Sequence, residues 1–361
     1  MKENIEFLKH LVETPSPTGY ENGIVPVVKG YMEKFSNYCY VDNFQNVIAE
    51  IVPEEDDDNH CEILISAHHD ELGFLVSQIT EAGGIKFARS SGEDKRTLIG
   101  SKLLVMDDED RLIEGIVVHK PIHVIEDDEW RKPVDVDSLV LDIGCTSKDE
   151  VLDMGIHPGS HIIYPKGEEK LEFGNQGKLI VSNSLDDKIG VYIVSEVARR
   201  VNSLEKFKKS NTILFAASIS GEESGLRGAG VVAHRFDPDI SIDIDVTPST
   251  ESDLGISKAK YGDIELGKGV VIEFGPAKSD KIAKEMVKIA KENNIKFQYG
   301  ISRAGGTNTS VIQERAVDCE TMLLSIPNKN MHQQNEICHW DDVQTCIDLL
   351  VAWIDKVGIQ D

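Results

Sequence analysis

Beyond Lys178 the sequence alternates between short aliphatic runs and longer stretches with helical spacing, a pattern that few architectures accept. Runs at 212–217, 241–246, 269–273 and 319–324 are brief, apolar and bounded by polar residues, as buried strands are. Between and after them, 187–201, 279–293 and 340–357 carry apolar residues at the helical period. Such alternation predicts an α/β fold with a layered mixed sheet. Upstream, Ile5, Leu8, Leu11 and Val12 predict a helix over 3–12 that Thr14-Pro15-Ser16-Pro17 stops, and a second helix is expected from Tyr20 to about Phe35. Runs at 47–52 and 61–66 read as paired strands around a solvated acidic loop, 54–58. From 73 to 177 the texture changes to short β-rich runs, at 73–79, 102–106, 113–118 and 161–164, broken by glycine and charge. A chain of 361 residues suits one large domain with a smaller one, so 73–177 is expected to be an inserted, mainly β domain and 1–72 with 178–361 the main domain.

The charge balance narrows the function. With 63 acidic and 38 basic residues the formal charge is -25, which repels nucleic acid and anionic membrane surfaces. No apolar run reaches bilayer length and Met1 to Glu6 lacks a signal peptide's apolar core, so a cytoplasmic location is expected. The six cysteines, at 39, 61, 145, 319, 338 and 346, show no Cys-x-x-Cys spacing and read as reduced thiols. Any metal site must then be built from histidine and carboxylate.

Five strand ends carry such residues. The run 212–217 leads into Ser220-Gly221-Glu222-Glu223-Ser224-Gly225, where two adjacent carboxylates leave a glycine-flanked turn; in an acidic chain this is ordinarily a solvated surface turn. His68, His69 and Asp70 follow the run 61–66. Residues two apart share a face in extended backbone, so Asp70 can touch His68, fixing its tautomer, while His69 points away. Asp186 and Asp187 stand at a helix start, where capping is the common role. Asp243 and Asp245 alternate with aliphatic residues in a strand, which aspartate disfavours unless a cation favours it. His332 lies in the loop after 319–324. The carboxyl edge of an α/β sheet is where such ends converge and where these folds bind ligands. Two histidines with three or more carboxylates suit zinc, cobalt or manganese, one carboxylate can bridge two ions, and a free glutamate beside a ligand glutamate supplies a general base for amide hydrolysis.

The motifs PSPTGYE at 15–21, AHHDELGF at 67–74, HKPIHV at 119–124, LDIGCTSKDE at 141–150, LDDKIG at 185–190, GEESGLRG at 221–228, DVTP at 245–248 and GGTN at 305–308, with the loop 327–332, follow in one order over nearly the whole chain. In them the chain resembles the glutamyl aminopeptidase family of two-metal peptidases, also called tetrahedral or deblocking aminopeptidases and sometimes given the name endoglucanase. The resemblance implies two divalent metal ions per chain, one held by His68, Asp186 and Asp245, the other by Asp186, Glu223 and His332, with Asp186 bridging. It makes Glu222 the general base, Asp70 the partner of His68, and the Asp186–Asp187 peptide bond cis. It implies a peptide substrate and a zinc-peptidase type catalytic domain whose inserted small β-barrel-like domain dimerises, the dimers in this family often assembling into a hollow dodecamer. Related two-metal deacylases or carboxypeptidases, and a non-catalytic peptide-binding assembly protein, are the alternatives. Asn308, Lys329-Asn330 and Ser220-Gly221 depart from the family's usual residues, which touches the substrate pocket and the groups around the ligands. Arg227, Arg303 and Lys329 are candidates for reading an acidic substrate side chain.

Overall fold

The computed structural model describes residues 4–54, 60–126, 134–251, 253, 255–302 and 306–357. Acidic residues 55–58, Arg303 and Gly305, named above, lie outside this set.

Three strands precede the barrel: β1 (Tyr38–Val41), β2 (Val47–Ile51) and β3 (Cys61–His68). Six then close into a barrel: β4 (Phe74–Ile79), β5 (Ile85–Arg89), β6 (Lys102–Met106), β7 (Leu112–Val118), β8 (Val140–Asp142) and β9 (His161–Ile163), in the order β4-β5-β8-β7-β6-β9. Phe74, Phe87, Leu103, Val105, Val117, Leu141 and Ile162 fill the barrel with a core of its own. Next come β10 (Lys170–Phe173), β11 (Leu179–Ser182), β12 (Thr212–Ile219), β13 (Ile240–Pro248), β14 (Val270–Phe274), β15 (Phe297–Ile301), β16 (Glu320–Asn328) and β17 (Glu336–His339). The main sheet has eight strands in the order β1-β2-β12-β3-β13-β16-β14-β15, while β10, β11 and β17 form a separate three-stranded sheet.

Alternation along the central strands assigns the two faces of the main sheet. Ile63, Ile65, Leu214, Ala216, Ile242, Ile244, Met322 and Leu324 pack under helices Ile5–Glu13, Val25–Met32, Leu185–Val201, Asp280–Glu292 and Trp340–Val357. On the other face Leu64, Ile213, Phe215, Ala217 and Ile219 meet Ala229, Val232 and Ala233 of helix Arg227–Phe236 and Ile312 of helix Asn308–Arg315. The architecture is thus the layered mixed α/β sheet that the alternation predicts, with the small barrel that the resemblance implies.

Three expectations need correction. Strands β2 and β3 are not paired: β12 lies between them, antiparallel to β2 and parallel to β3. All eight residues of β12 are buried, so it belongs at the centre, where a neighbour on each side satisfies its backbone groups. The second helix begins at Val25 rather than Tyr20, because Pro26 sits in its first turn, where a missing N–H costs nothing.

Strands β12, β3, β13 and β16 run parallel, so their carboxyl ends open on one edge of the sheet. That edge receives Glu222 and Glu223, His68, Asp245 and His332. The fifth contributor differs from expectation: Asp186 follows β11, which belongs to the small sheet and pairs with β17.

Candidate metal centre

His68 is the last residue of β3 and is buried. Its Nε2 lies 3.1 Å from Asp186 Oδ1, and its Nδ1 lies 3.1 Å from the Asp70 carbonyl oxygen and 3.5 Å from Asp70 Oδ1. His69 points away, as the strand geometry requires, with Nδ1 2.7 Å from Ser218 Oγ. Asp70 does more than face His68. Its Oδ1 accepts the Glu222 amide at 3.0 Å and its Oδ2 the Glu223 amide at 3.1 Å, so one buried carboxylate fixes the backbone of the glutamate pair.

The turn carrying the pair explains its neighbours. The Ser220 amide donates to Asn46 Oδ1 at 2.9 Å, and Gly221 has φ 68°, a conformation that glycine adopts without strain. The Gly228 amide donates to the Ser220 carbonyl at 3.1 Å, and a Cβ at 228 would stand 2.2 Å from that oxygen.

Both readings of the aspartate pair, capping and a place among candidate metal ligands, occur. Asp187 caps the helix, accepting the Gly190 amide at 3.1 Å, and also receives the His68 amide at 3.3 Å. Asp186 faces the histidines: its Oδ2 lies 3.2 Å from His332 Nε2. The bond between them is cis. Glu336, which the sequence does not mark, spans two candidate ligands. Its Oε2 accepts the Asp186 amide at 2.8 Å and its Oε1 the His332 amide at 2.9 Å. His332 Nε2 is 3.9 Å from Glu223 Oε1, and its Nδ1 is 3.1 Å from the carbonyl of Gly92, in the segment between β5 and β6. A Cβ on Gly92 would stand 2.8 Å from that nitrogen.

Two groups of side chains here could hold a metal ion, His68 with Asp187 and Asp245, and His68 with Asp186 and Glu223; in each the donor atoms lie within 4.8 Å of one another. Asp187, to which the sequence reading gave no ligand role, joins the first group. The charge state tests whether a cation fits. Burial pushes Glu222 up to about 8, and adjoining carboxylates add to the rise. Burial and Asp186 push Glu223 up to about 8, and burial holds Asp187 and Asp245 well above the usual range. Burial also raises Asp186, but hydrogen bonds from His332 and His68 outweigh it and hold it low; the same contact lifts His332 to about 10. Among the described residues no lysine or arginine forms an ion pair with Asp186, Asp187, Glu222, Glu223 or Asp245. A crowd of buried acids short of positive charge, with imidazole nitrogen and no thiolate, fits divalent zinc, cobalt or manganese.

A second buried network anchors this edge. Glu71 Oε2 accepts from Lys188 Nζ at 2.8 Å and from Lys166 Nζ at 2.5 Å, and Lys188 also donates to the Thr14 carbonyl. Burial raises the Glu71 carboxyl, but the two ammonium groups outweigh it and hold it at about 2. Asn308 donates to Asp243 beside the Ser66 hydroxyl, so an amide here spares buried Asp243 a second acid. Of the proposed readers of an acidic side chain, Lys329 is bound to Glu251 and Arg227 donates to Ser224.

The centre opens into a cavity of about 1030 Å³, whose lining includes His68, Asp186, Glu222, Glu223, Asp245 and His332. The model of the M42 glutamyl aminopeptidase family matches residues 46–349. Lysyl aminopeptidase of Pyrococcus furiosus is 30% identical over 361 residues, covering 99% of this chain and 98% of its own. The TET aminopeptidase of Thaumarchaeota archaeon SCGC AB-539-E09 has a similar structure, with TM-score 0.89 and 26% identity over 98% of this chain and 96% of that one. The TET1 peptidase of Pyrococcus horikoshii, which can assemble into a tetrahedron or a large octahedral shell, gives TM-score 0.81 and 29% identity over 96% and 98%. Matched across most of its length in sequence and in fold, this chain belongs to the M42 glutamyl aminopeptidase family, whose members hydrolyse peptide bonds.

Proposed function

We propose that the chain removes N-terminal residues from peptides at a centre of two divalent ions, zinc or cobalt, with manganese also suited. His68, Asp186 and Asp245 would hold one ion and Asp186, Glu223 and His332 the other. The observation that carries this reading is the pair of groups that meet on His68, Asp187 with Asp245 and Asp186 with Glu223, together with the His332 imidazole 3.2 Å from Asp186. Divalent ions there supply Lewis acidity toward the scissile carbonyl and toward an attacking water.

The protein's own groups do the rest. Glu222 lines the cavity beside the candidate ligands, is not needed in either ligand set, and takes the proton of the attacking water before handing it to the leaving amine. Asp70 holds Glu222 and Glu223 at adjacent amides, so the base and the ligand cannot drift apart. Glu336 holds Asp186 and His332 in the same manner. Metal-stripped protein reloaded with zinc, cobalt or manganese tests the reading against free and N-acetylated peptides. Hydrolysis of free amines alone is expected; preference for blocked termini would point to a deacylase.

The same reading assigns 1–72 and 178–361 to catalysis and 73–177 to dimerisation. Ile99, Leu112, Ile116, Val118, Ile122 and Val124 are exposed on this insert, an apolar surface that a second copy would cover. The tetrahedron or octahedral shell that the Pyrococcus horikoshii relative forms, and the dodecamer of a second structural neighbour, support self-association of this kind, for which dimers building a dodecamer is our reading. Six free cysteines favour a reducing compartment such as the cytoplasm; no described helix is long and apolar enough to cross a membrane, and the acidic charge disfavours nucleic acid.

A further inference from the structure

A second groove meets the catalytic cavity at the turn that carries the glutamate pair. Gly225 and Leu226 line both, and the second groove, of about 630 Å³, continues between helices Arg227–Phe236 and Asn308–Arg315. The amides of Gly225 and Leu226 donate to the Glu222 carbonyl at 3.1 and 3.0 Å, so this shared lip is one turn from Glu222. Leu226 has φ 58°, a left-handed conformation that leucine seldom adopts and that tends to persist where function needs it.

The groove is cationic in a strongly acidic chain. Arg227, His234, Arg235 and Arg315 line it, against one acid among its described lining residues, Glu314. Elsewhere Arg96, Arg111, Arg199 and Arg200 each form an ion pair with a carboxylate. Among the described residues Arg227, Arg235 and Arg315 form no such pair: Arg227 donates to the Ser224 hydroxyl, and Arg235 lies over the Tyr40 and Phe236 rings, 4.9 and 5.4 Å from their centres. All three are exposed, and a guanidinium has five N–H donors, so donors remain for a ligand. The floor is apolar. A Cβ on Gly230 would stand 3.2 Å from Val311 Cγ1 and 3.8 Å from Arg315 Cγ, so the glycine lets the two helices approach beneath the charges.

The direction of the reaction says what enters. Glu222 hands its proton to the leaving amine, which must then lie within hydrogen-bond reach of it. The chain beyond the scissile bond thus leaves the centre on the Glu222 side, where the lip opens into the groove. From Arg227 to Arg235 the helix rises about 12 Å, a span that an extended peptide covers in about four residues.

We propose that the groove holds the segment of the peptide substrate downstream of the scissile bond, and that Arg227, Arg235 and Arg315 bind carboxylates about two to five residues past the cut, carried by acidic side chains or by the C-terminus. The inference rests on the aminopeptidase reading, which sets the direction of the substrate. It makes the body of the peptide a determinant of turnover independent of the N-terminal residue.

The test uses metal-loaded protein and three peptides that share a first residue, the one released fastest from aminoacyl p-nitroanilides, or alanine if none is released. Behind it stand Ala-Glu-Glu-Glu-Ala amide, Ala-Gln-Gln-Gln-Ala amide, or the second sequence with a free C-terminal carboxylate. Initial release of the first residue, and binding by calorimetry, are measured on wild type, Arg235→Gln with Arg315→Gln, and Arg235→Lys with Arg315→Lys. The p-nitroanilide, which has no downstream residue, is the reference substrate. Wild type is expected to favour the Glu peptide over the Gln amide by about 5- to 30-fold in kcat/KM, chiefly through KM, as a few exposed charge contacts allow. The Gln double variant is expected to bring that ratio below about 3-fold and the Lys double variant to keep it, each measured relative to the p-nitroanilide. A preference for the Glu peptide assigns acidic side chains as the source and one for the free acid assigns the C-terminus; either supports the proposal. Ratios near one in wild type, or a loss in the Gln double variant that the p-nitroanilide shares equally, overturn it and leave the aminopeptidase reading standing. If nothing is hydrolysed but the acidic peptide binds tighter in an arginine-dependent way, the aminopeptidase reading fails and the groove assignment stands. If binding is also indifferent, both fail.

Discussion

Asp70 lies beneath the backbone of Glu223, accepting its amide at 3.1 Å while its other oxygen accepts the preceding amide of Glu222 at 3.0 Å. An asparagine there keeps the size but has one acceptor oxygen in place of two. Asp70→Asn is expected to lose one of the amide contacts and the negative charge beside His68, lowering metal affinity by about 10- to 100-fold. Metal titration with kinetics at saturating metal checks this. Normal affinity in the variant would reduce Asp70 to a packing residue.

Glu336 is the counterpart on the other side of the centre, joining Asp186 and His332 through their amides. Glu336→Gln presents an NH2 group to one of two amide donors, so one contact becomes repulsive. Binding at both candidate ion positions is expected to weaken together by about 10-fold or more, because Asp186 serves both. Loss at one position only would argue against a shared Asp186.

Gly92 has a steric reason to lack a side chain, since an added Cβ would stand 2.8 Å from His332 Nδ1. Gly92→Ala is expected to displace the imidazole and lower kcat/KM by about 10-fold or more while the thermal midpoint stays close to wild type. Unaltered kinetics would show that the loop yields and His332 does not.

Glu71 predicts an acid-sensitive anchor. Its folded carboxyl titrates at about 2, below its usual 4.5, so its contribution to stability is present above about 4.5 and is lost as pH falls toward 2. Glu71→Gln leaves Lys166 and Lys188 without their counter-charge and is expected to cost about 3 to 5 kcal/mol at neutral pH. Denaturant unfolding of both proteins between pH 7 and 3 measures this: the gap should close on acidification. A gap independent of pH would contradict the anchor.

How much of this was legible in the sequence follows from range. His68, Glu222, Glu223, Asp245 and His332 stand at or after short buried strands, so local pattern was enough to gather them on one edge. Asp245 was marked further by alternation with Ile242, Ile244 and Val246, which pack into the core. Asp186 was found, but its route was not, because β11 looks like any other strand until it pairs with β17. Pairing of β2 with β3 was the natural local reading and failed because β12, far along the chain, is the more buried partner. Glu336, Gly92 and the Glu71 network act through contacts between distant segments, and no spacing announces them. Helix Arg227–Phe236 escaped notice because its buried face is made of Gly228, Ala229, Val232 and Ala233, largely too small to signal a period.

The division of labour between the two glutamates is the central claim, and Glu222→Gln measured for metal content and turnover in the same preparation tests it most directly. The account predicts two ions per chain retained and peptide hydrolysis reduced by about 100- to 10,000-fold, the range expected when a general base is removed. Undiminished turnover, or loss of an ion from the variant, would contradict it.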